Sequence, residues 1–220
     1  MQKSKLTLLV VYFLLFSGTA IAEKMIFVSK CDADQVAVLE GEKPLTFKVV
    51  SNKVAVGSGA TCSGALLAFL KMIKAYPHIA ILKVKNLPGS VDDDINLKLG
   101  RKIHQYKLEM QSLPNAIIAS GGLDLFLAGT KRRLAPGVKI GVHSWAALDD
   151  GNIIKGSSLP KEHKEHQKYI AYYKDIGINP SFYWFTMTAK PNGPQEDMSN
   201  GDDMHWMSAK EISQYKLVTP

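Results

Sequence analysis

Short apolar runs alternate with helical patterns along the first two thirds of the chain. Runs rich in apolar and β-branched residues, bounded by turn residues, predict strands over 25–28, 46–50, 53–56, 79–84, 116–119 and 138–142. Apolar residues at helical spacing predict helices over 63–76, after Asp92 and after Ser120. Strands that alternate with helices are typical of βαβ units, so the pattern predicts an α/β fold with a mainly parallel sheet flanked by helices.

The last third of the chain has a more polar pattern. It predicts a Gly-, Ser- and Asp-rich loop over 149–160, a polar helix over 161–174, an aromatic segment over 182–187 and a short helix over 208–215. Neither an internal repeat nor a second domain is indicated. We therefore expect a signal peptide over 1–22 and a single α/β domain over 23–220.

The first 22 residues have the pattern of a secretory signal peptide. Lys3 and Lys5 form a short basic segment, an apolar segment follows over 6–16, and small residues precede a cleavage site after Ala22. That apolar segment is too short to cross about 30 Å of hydrocarbon. No later segment has the length of a membrane span. The mature protein is therefore expected to be soluble, in the periplasm or outside the cell.

Charge and cysteine content fit an exported protein. The net charge is +7, of which Lys3 and Lys5 carry two, and the other basic residues are spread along the chain without interleaved aromatic residues. This pattern is typical of a solvated cationic surface and argues against binding of nucleic acid. Cys31 and Cys62 are the two cysteines. In an oxidising compartment they predict one disulfide, with two buried thiols as the alternative.

Three chemically distinctive segments each follow a predicted strand. They are the loop Pro88-Gly89-Ser90, the serine Ser120 and the histidine His143. Because reactive groups gather beyond the carboxyl ends of parallel strands, we expect these segments at one edge of the sheet.

Ser120 begins a Ser-Gly-Gly turn between a strand and a helix. Such a turn leaves backbone N–H groups unpaired, and these can stabilise an oxyanion. The hydroxyl becomes a useful nucleophile only if a base comes within about 3 Å, and His143 can be that base. The alternative role of Ser120 is to cap the helix that follows.

Two other segments are weak candidates for a cofactor or a metal site. Residues 57–62 lack the third glycine of a dinucleotide-binding loop and more simply make a turn. His163 and His166 are three positions apart, but lysine and glutamate surround them, which predicts a solvent-facing helix. We therefore expect neither a metal nor a cofactor.

Several motifs in order resemble the proteolytic subunit of Clp protease, within the Clp/crotonase superfamily. Ser120 is followed by Ala128-Gly129, and a strand then leads to Gly141-Val142-His143-Ser144. Upstream, residues 86–91 are similar to the family's oxyanion loop, and residues 206–218 are similar to its closing helix. The resemblance spans about 130 residues and implies a ββα-type spiral with a mainly parallel sheet. Members of this superfamily usually form rings or trimers, which allows a homo-oligomer here.

The resemblance implies a role for each matching residue. Ser120 corresponds to the nucleophile and His143 to the base, while the N–H groups of Gly89 and Gly121 correspond to the oxyanion hole. The family's triad aspartate aligns with Met204, so a shift of one position makes Asp203 the expected acid, and Asp202 is one residue further away. The oxyanion loop has one glycine where the family has two, and Asp124 replaces a small residue.

Two functions follow from these features. The first is an exported serine hydrolase or peptidase that acts on a peptide or a small acyl substrate through a Ser-His-Asp mechanism. The alternative is a non-catalytic protein of the same fold that binds a peptide or protein partner. Asp124, the single-glycine loop and the displaced acid favour the alternative. Acyl-CoA chemistry is a third option, which export disfavours.

Overall fold

The computed structural model describes residues 25–39, 41–149, 152–192 and 204–220. The segment over 1–22 lies outside this part, so the signal peptide and cleavage after Ala22 stay predictions. The described part has ten strands and seven α-helices. The strands are β1 Ile26–Val28, β2 Thr46–Ser51, β3 Val54–Ser58, β4 Ile81–Leu87, β5 Glu109–Ala119, β6 Lys131–Arg133, β7 Lys139–Val142, β8 Ala146–Asp149, β9 Asn152–Lys155 and β10 His205–Trp206. The helices are α1 Ala33–Val38, α2 Ala65–Ala75, α3 Asp93–Gln105, α4 Gly121–Leu127, α5 Lys164–Asp175, α6 Ser181–Thr188 and α7 Ala209–Gln214.

The main sheet is mixed, with a parallel centre. Its strand order is β1-β2-β3-β4-β5-β7-β10, and β6 pairs with the first half of β5. The neighbours β3, β4, β5 and β7 are parallel, whereas β1–β2, β2–β3 and β7–β10 are antiparallel. The predicted α/β class with a sheet flanked by helices is therefore confirmed. It also follows that β4, β5 and β7 end at the same edge.

Helices α2 and α3 follow the predicted pattern. The buried face of α2 contains Phe69, Met72 and Ile73, which recur at helical spacing. At the start of α3, a carboxylate oxygen of Asp92 accepts a hydrogen bond from the N–H of Ile95 at 3.0 Å. This cap satisfies one of the N–H groups that the first helical turn leaves without a partner.

Helix α4 is buried along its whole length. All seven of its residues are buried, including Gly121, Gly122 and Asp124. A Cβ on Gly122 would lie 2.1 Å from the carbonyl oxygen of Leu87, so glycine is needed for the close contact between α4 and β4. The helix that follows Ser120 is therefore held directly against the end of β4.

Two predictions for the last third of the chain are wrong. Residues 146–149 and 152–155 form two paired antiparallel strands, β8 and β9, whereas a loop was expected over 149–160 from its polar and turn-forming residues. His166 was expected to face solvent, but only 1% of its surface is exposed. It lies on a buried face of α5 with Tyr169, Tyr172 and Tyr173. Tyrosine and histidine form this face, so a search for aliphatic periodicity misses it.

Cys31 and Cys62 form the predicted disulfide, with their Cα atoms 5.4 Å apart. The bond joins the segment before α1 to the segment before α2. Within the described ranges, no helix is long and apolar enough to cross a membrane.

Candidate active site

The loop after β4, Ser120 after β5 and His143 after β7 lie at the same edge of the sheet. Strand β5 pairs in parallel with β4 on one side and with β7 on the other. Nε2 of His143 lies 2.7 Å from Oγ of Ser120. The structure therefore brings together the two side chains that the sequence suggests as base and nucleophile.

Ser120 has a backbone conformation that favours glycine. Its φ is 50° and its ψ is −135°, a region in which a side chain costs on the order of 1–3 kcal/mol. Backbone hydrogen bonds hold this conformation: the N–H of Ser120 donates to the carbonyl oxygen of Gly141 at 3.1 Å, and its own carbonyl oxygen accepts from Leu123 at 2.9 Å. Strain of this kind is concentrated at functional sites, where a sharp strand-to-helix turn exposes a nucleophile.

The side chain of Ser120 does not cap helix α4. It makes no capping hydrogen bond to the helix, and its hydroxyl is paired with His143. A serine kept only as a helix cap would accept a hydrogen bond from a backbone N–H of the first turn. The geometry therefore disfavours the capping role that the sequence left open.

Two glycine backbones border the Ser120 hydroxyl. A Cβ on Gly89 would lie 3.6 Å from Oγ of Ser120, and the N–H of Gly89 donates to no residue that the structure describes. Gly121 is the first residue of α4, and an N–H at this position has no acceptor within its helix. Both residues thus lie where the sequence suggests donors to an oxyanion.

The loop that contains Gly89 is tied to the disulfide region. The N–H of Thr61 donates to the carbonyl oxygen of Gly89 at 3.0 Å, and the N–H of Val91 donates to the carbonyl oxygen of Thr61 at 2.9 Å. Cys62, next to Thr61, is fully buried and bonded to Cys31. The disulfide therefore supports the loop beside Ser120.

Asn96 is a buried polar residue beside Ser120–Gly121 that the sequence patterns did not indicate. Its side chain is 1% exposed, and its Nδ2 donates to the carbonyl oxygen of Gly121 at 2.8 Å. This bond orients the peptide that follows Gly121. The available signal was a polar residue on the buried face of α3, together with Leu99 and Ile103.

A small cavity of about 40 Å³ adjoins the Ser120–His143 pair. Two acidic residues, Asp93 and Asp124, line it together with four aromatic side chains. The aromatic side chains are Trp145, Tyr169, Tyr173 and Tyr183. From the sequence, Asp124 stood out only as a departure from the family pattern, and Asp93 did not stand out.

Burial changes the acidity of both carboxyl groups. Asp124 is 8% exposed and its Oδ1 accepts a hydrogen bond from the Tyr173 hydroxyl at 2.6 Å. Desolvation raises the pKa of Asp124 to about 7, against the lowering effect of that hydrogen bond. The Tyr169 hydroxyl donates to Oδ2 of Asp93, and desolvation raises the pKa of Asp93 as well. Carboxyl groups with perturbed pKa values in a cleft are typical of a functional site.

The expected acid Asp203, like Asp202, lies outside the described residues. The nearest described residue is Met204, which packs on β7: a Cβ on Gly141 would lie 2.6 Å from its sulfur. Strand β10, which follows Met204, pairs with β7, with His205 opposite Val142. The role of Asp203 therefore stays a prediction.

Comparisons with known proteins find similar solved structures. No family model and no curated protein matches the chain. A variant of the 1510-N membrane-bound stomatin-specific protease, in complex with a substrate peptide, is 19% identical, with a TM-score of 0.47 and coverage of 77% of this chain and 75% of that one.

Two further structures show the same range of similarity. The 1510-N membrane protease from Pyrococcus horikoshii is 14% identical (TM-score 0.40, coverage 68% and 64%). An enoyl-CoA hydratase from Mycobacterium marinum is 13% identical (TM-score 0.44, coverage 79% and 77%). Similarity at this level carries no argument about function, which must come from the site itself.

Proposed function

We propose that this protein is a serine hydrolase that acts on peptides or small acyl substrates, with Ser120 as the nucleophile and His143 as the general base. One observation carries the proposal: Oγ of Ser120, on a strained turn, lies 2.7 Å from Nε2 of His143. A serine hydroxyl attacks a carbonyl carbon effectively only when a base accepts its proton, and this distance permits that transfer.

The reaction has two acyl-transfer steps. In the first, Ser120 attacks the carbonyl carbon while His143 accepts the hydroxyl proton, and the N–H groups of Gly89 and Gly121 stabilise the negative oxygen. His143 then donates the proton to the leaving group, which leaves an ester on Ser120. In the second, His143 removes a proton from water as the water attacks the ester, and it returns that proton to the oxygen of Ser120 as the acid product leaves.

Asp203 is proposed as the acid that orients His143. It precedes Met204 in the chain, and Met204 packs against β7, the strand that precedes His143. An acid in this role holds the imidazole in the tautomer whose Nε2 can accept the serine proton. Asp203→Asn should therefore reduce the rate of acylation, and His143→Ala should reduce it further.

Export is part of the same proposal. Cleavage after Ala22 would release the mature chain into the periplasm or the medium. The Cys31–Cys62 bond supports this location, because disulfides persist in oxidising compartments.

Labelling with a fluorophosphonate serine probe tests the proposed nucleophile. The wild-type protein should be labelled and Ser120→Ala should not, while Ser157→Ala, an exposed serine on the turn after β9, should be labelled like wild type. Labelling that persists in Ser120→Ala would exclude Ser120 as the nucleophile. A folded wild-type protein that no serine probe labels would instead favour the non-catalytic alternative.

A further inference from the structure

The cavity beside Ser120 has an unusual combination of charge and shape. Its only carboxyl groups are Asp93 and Asp124, and no lysine or arginine lines it among the residues that the structure describes. The chain as a whole is basic. The overall positive charge does not explain an acidic cavity, which indicates that the two carboxyl groups serve the cavity itself.

Asp124 has a carboxylate oxygen without a partner. Its Oδ1 accepts the hydrogen bond from Tyr173, whereas its Oδ2 accepts none from the described residues. The side chain is more than nine-tenths buried and lines the cavity. In the described part of the chain the buried side-chain atoms that lack a partner are Oγ1 of Thr61 and Oδ1 of Asn96, so Oδ2 of Asp124 is open to the cavity. A ligand with a positively charged donor can therefore pair with this oxygen.

Aromatic rings form the walls around this carboxyl group. Tyr169 is nearly parallel to Trp145, with centroids 6.3 Å apart, and nearly parallel to Tyr183, with centroids 5.3 Å apart. Tyr183 is held in place because its hydroxyl accepts a hydrogen bond from Nε1 of Trp145 at 3.0 Å and bonds Nδ1 of His166 at 2.5 Å. Fixed aromatic faces attract a cation that lies over them.

We propose that this cavity is the specificity pocket of the site and that it takes a basic side chain of the substrate, with Asp124 as the residue that recognises the charge. The inference rests on the proposed hydrolase function, since the pocket adjoins Ser120. The aliphatic stem of the side chain would pass the aromatic rings, and its ammonium would meet Oδ2 of Asp124. A volume of about 40 Å³ suits the end of a narrow side chain such as lysine.

An apolar side chain fits this pocket less well. It would seal the carboxyl group of Asp124 away from water without giving its free oxygen a donor. A site whose buried polar group is left unpaired discriminates strongly against the ligand that leaves it so. Lysine and its uncharged analogue norleucine have the same aliphatic stem, so a comparison of the two isolates the charge.

Binding to the catalytically inactive Ser120→Ala protein tests the pocket without relying on catalysis. Calorimetry should show that acetyl-Ala-Ala-Lys-amide binds at least tenfold more tightly than the norleucine peptide. Asp124→Asn in the same background should abolish this preference, because the amide can still accept from Tyr173 but carries no charge. The matched control Asp34→Asn, at an exposed position on α1, should retain it.

The outcomes separate this proposal from the proposed reaction. Equal binding of the two peptides, no measurable binding of the lysine peptide, or a preference that survives in Asp124→Asn would each overturn the specificity pocket. Should Asp124→Asn fail to fold, as judged by circular dichroism, Asp93→Asn replaces it and should weaken the preference. A lysine preference without probe labelling keeps the pocket and removes the hydrolase. Probe labelling of wild type without a preference for the lysine peptide keeps the hydrolase and removes the specificity pocket.

Discussion

Nε2 of His143 and Oγ of Ser120 lie 2.7 Å apart although 23 positions separate the residues in the chain. Their strands, β7 and β5, are parallel neighbours. Both side chains therefore project from the same edge of the sheet, and the distance suits transfer of a proton between them.

If the two side chains act as one unit, their substitutions will not be additive. His143→Ala should slow acylation by the fluorophosphonate probe by about 10²- to 10⁴-fold, the range for loss of a general base, and Ser120→Ala should abolish it. The double variant should behave like Ser120→Ala alone. Stopped-flow or gel-based labelling rates would show this. Wild-type labelling rates in His143→Ala would contradict the role of His143 as base.

Asn96→Ala should reduce turnover more than substrate binding. The substitution removes the donor to the buried carbonyl oxygen of Gly121, so the peptide next to the nucleophile loses its orientation. The loss of this buried hydrogen bond should also lower the free energy of unfolding by about 1 kcal/mol. Steady-state kinetics should show a lower kcat with little change in KM, and Asn152→Ala, at an exposed position on β9, serves as the control. A change confined to KM would argue against positioning.

Asp124→Asn should stabilise the protein at neutral and alkaline pH. The pKa of Asp124 is raised in the folded state to about 7 from an ordinary value of 3.8, chiefly by desolvation. Below about pH 3.8 the carboxyl is neutral in both states and has no linked cost. As the pH rises towards 7 only the unfolded state loses the proton, so this group destabilises the fold by about 1.4 kcal/mol per pH unit.

Above pH 7, the ionisation of Asp124 lowers the free energy of unfolding by about 4 kcal/mol in total. The other titratable groups around Asp124 include Asp93, Tyr169, Tyr172, Tyr173 and Tyr183. Urea unfolding at pH 4, 6 and 8 should therefore show that the advantage of Asp124→Asn over wild type grows with pH. An advantage of the same size at all three values would mean that Asp124 is not the titrating group.

Reduction of the Cys31–Cys62 bond should lower the free energy of unfolding by about 3–4 kcal/mol, because it frees a loop of 31 residues in the unfolded state. Cys62 is next to Thr61, whose N–H donates to the carbonyl oxygen of Gly89 in the loop beside Ser120. Reduction should loosen this loop and therefore also slow probe labelling of Ser120. Urea unfolding and labelling with and without dithiothreitol would measure both effects. The Cys31→Ala/Cys62→Ala variant should not respond to the reductant.

Arg132→Met should destabilise the protein far more than Arg133→Met. The buried guanidinium of Arg132 donates to the carbonyl oxygens of Gly129 at 2.8 Å and Leu217 at 2.9 Å, so it joins the end of α4 to the chain after α7. Desolvation lowers its pKa. Loss of these bonds leaves buried acceptors unpaired and should cost about 3 kcal/mol. Arg133 makes an exposed ion pair with Glu109, worth about 1 kcal/mol or less. If thermal or urea unfolding showed that Arg132→Met and Arg133→Met lose the same free energy of unfolding, this role for Arg132 would be contradicted.

The sequence alone determined the features that depend on local pattern. Alternating apolar runs and helical spacing identified the α/β class, and turn residues after the strands pointed to Ser120, His143 and the loop with Gly89. In a parallel sheet, local strand direction is enough to bring strand ends to one edge, so these segments could be placed together without coordinates.

The tertiary structure decided the features that depend on contacts between distant elements. Asp124 on α4, Asp93 on α3 and the aromatic rings of α5 and α6 meet only when those helices pack. His166 is buried because α6 supplies Tyr183 as its partner, and no pattern within α5 contains that fact. The acidity of a carboxyl group depends on how much water the rest of the fold removes from it, which is why the character of the pocket could not be obtained from sequence periodicity.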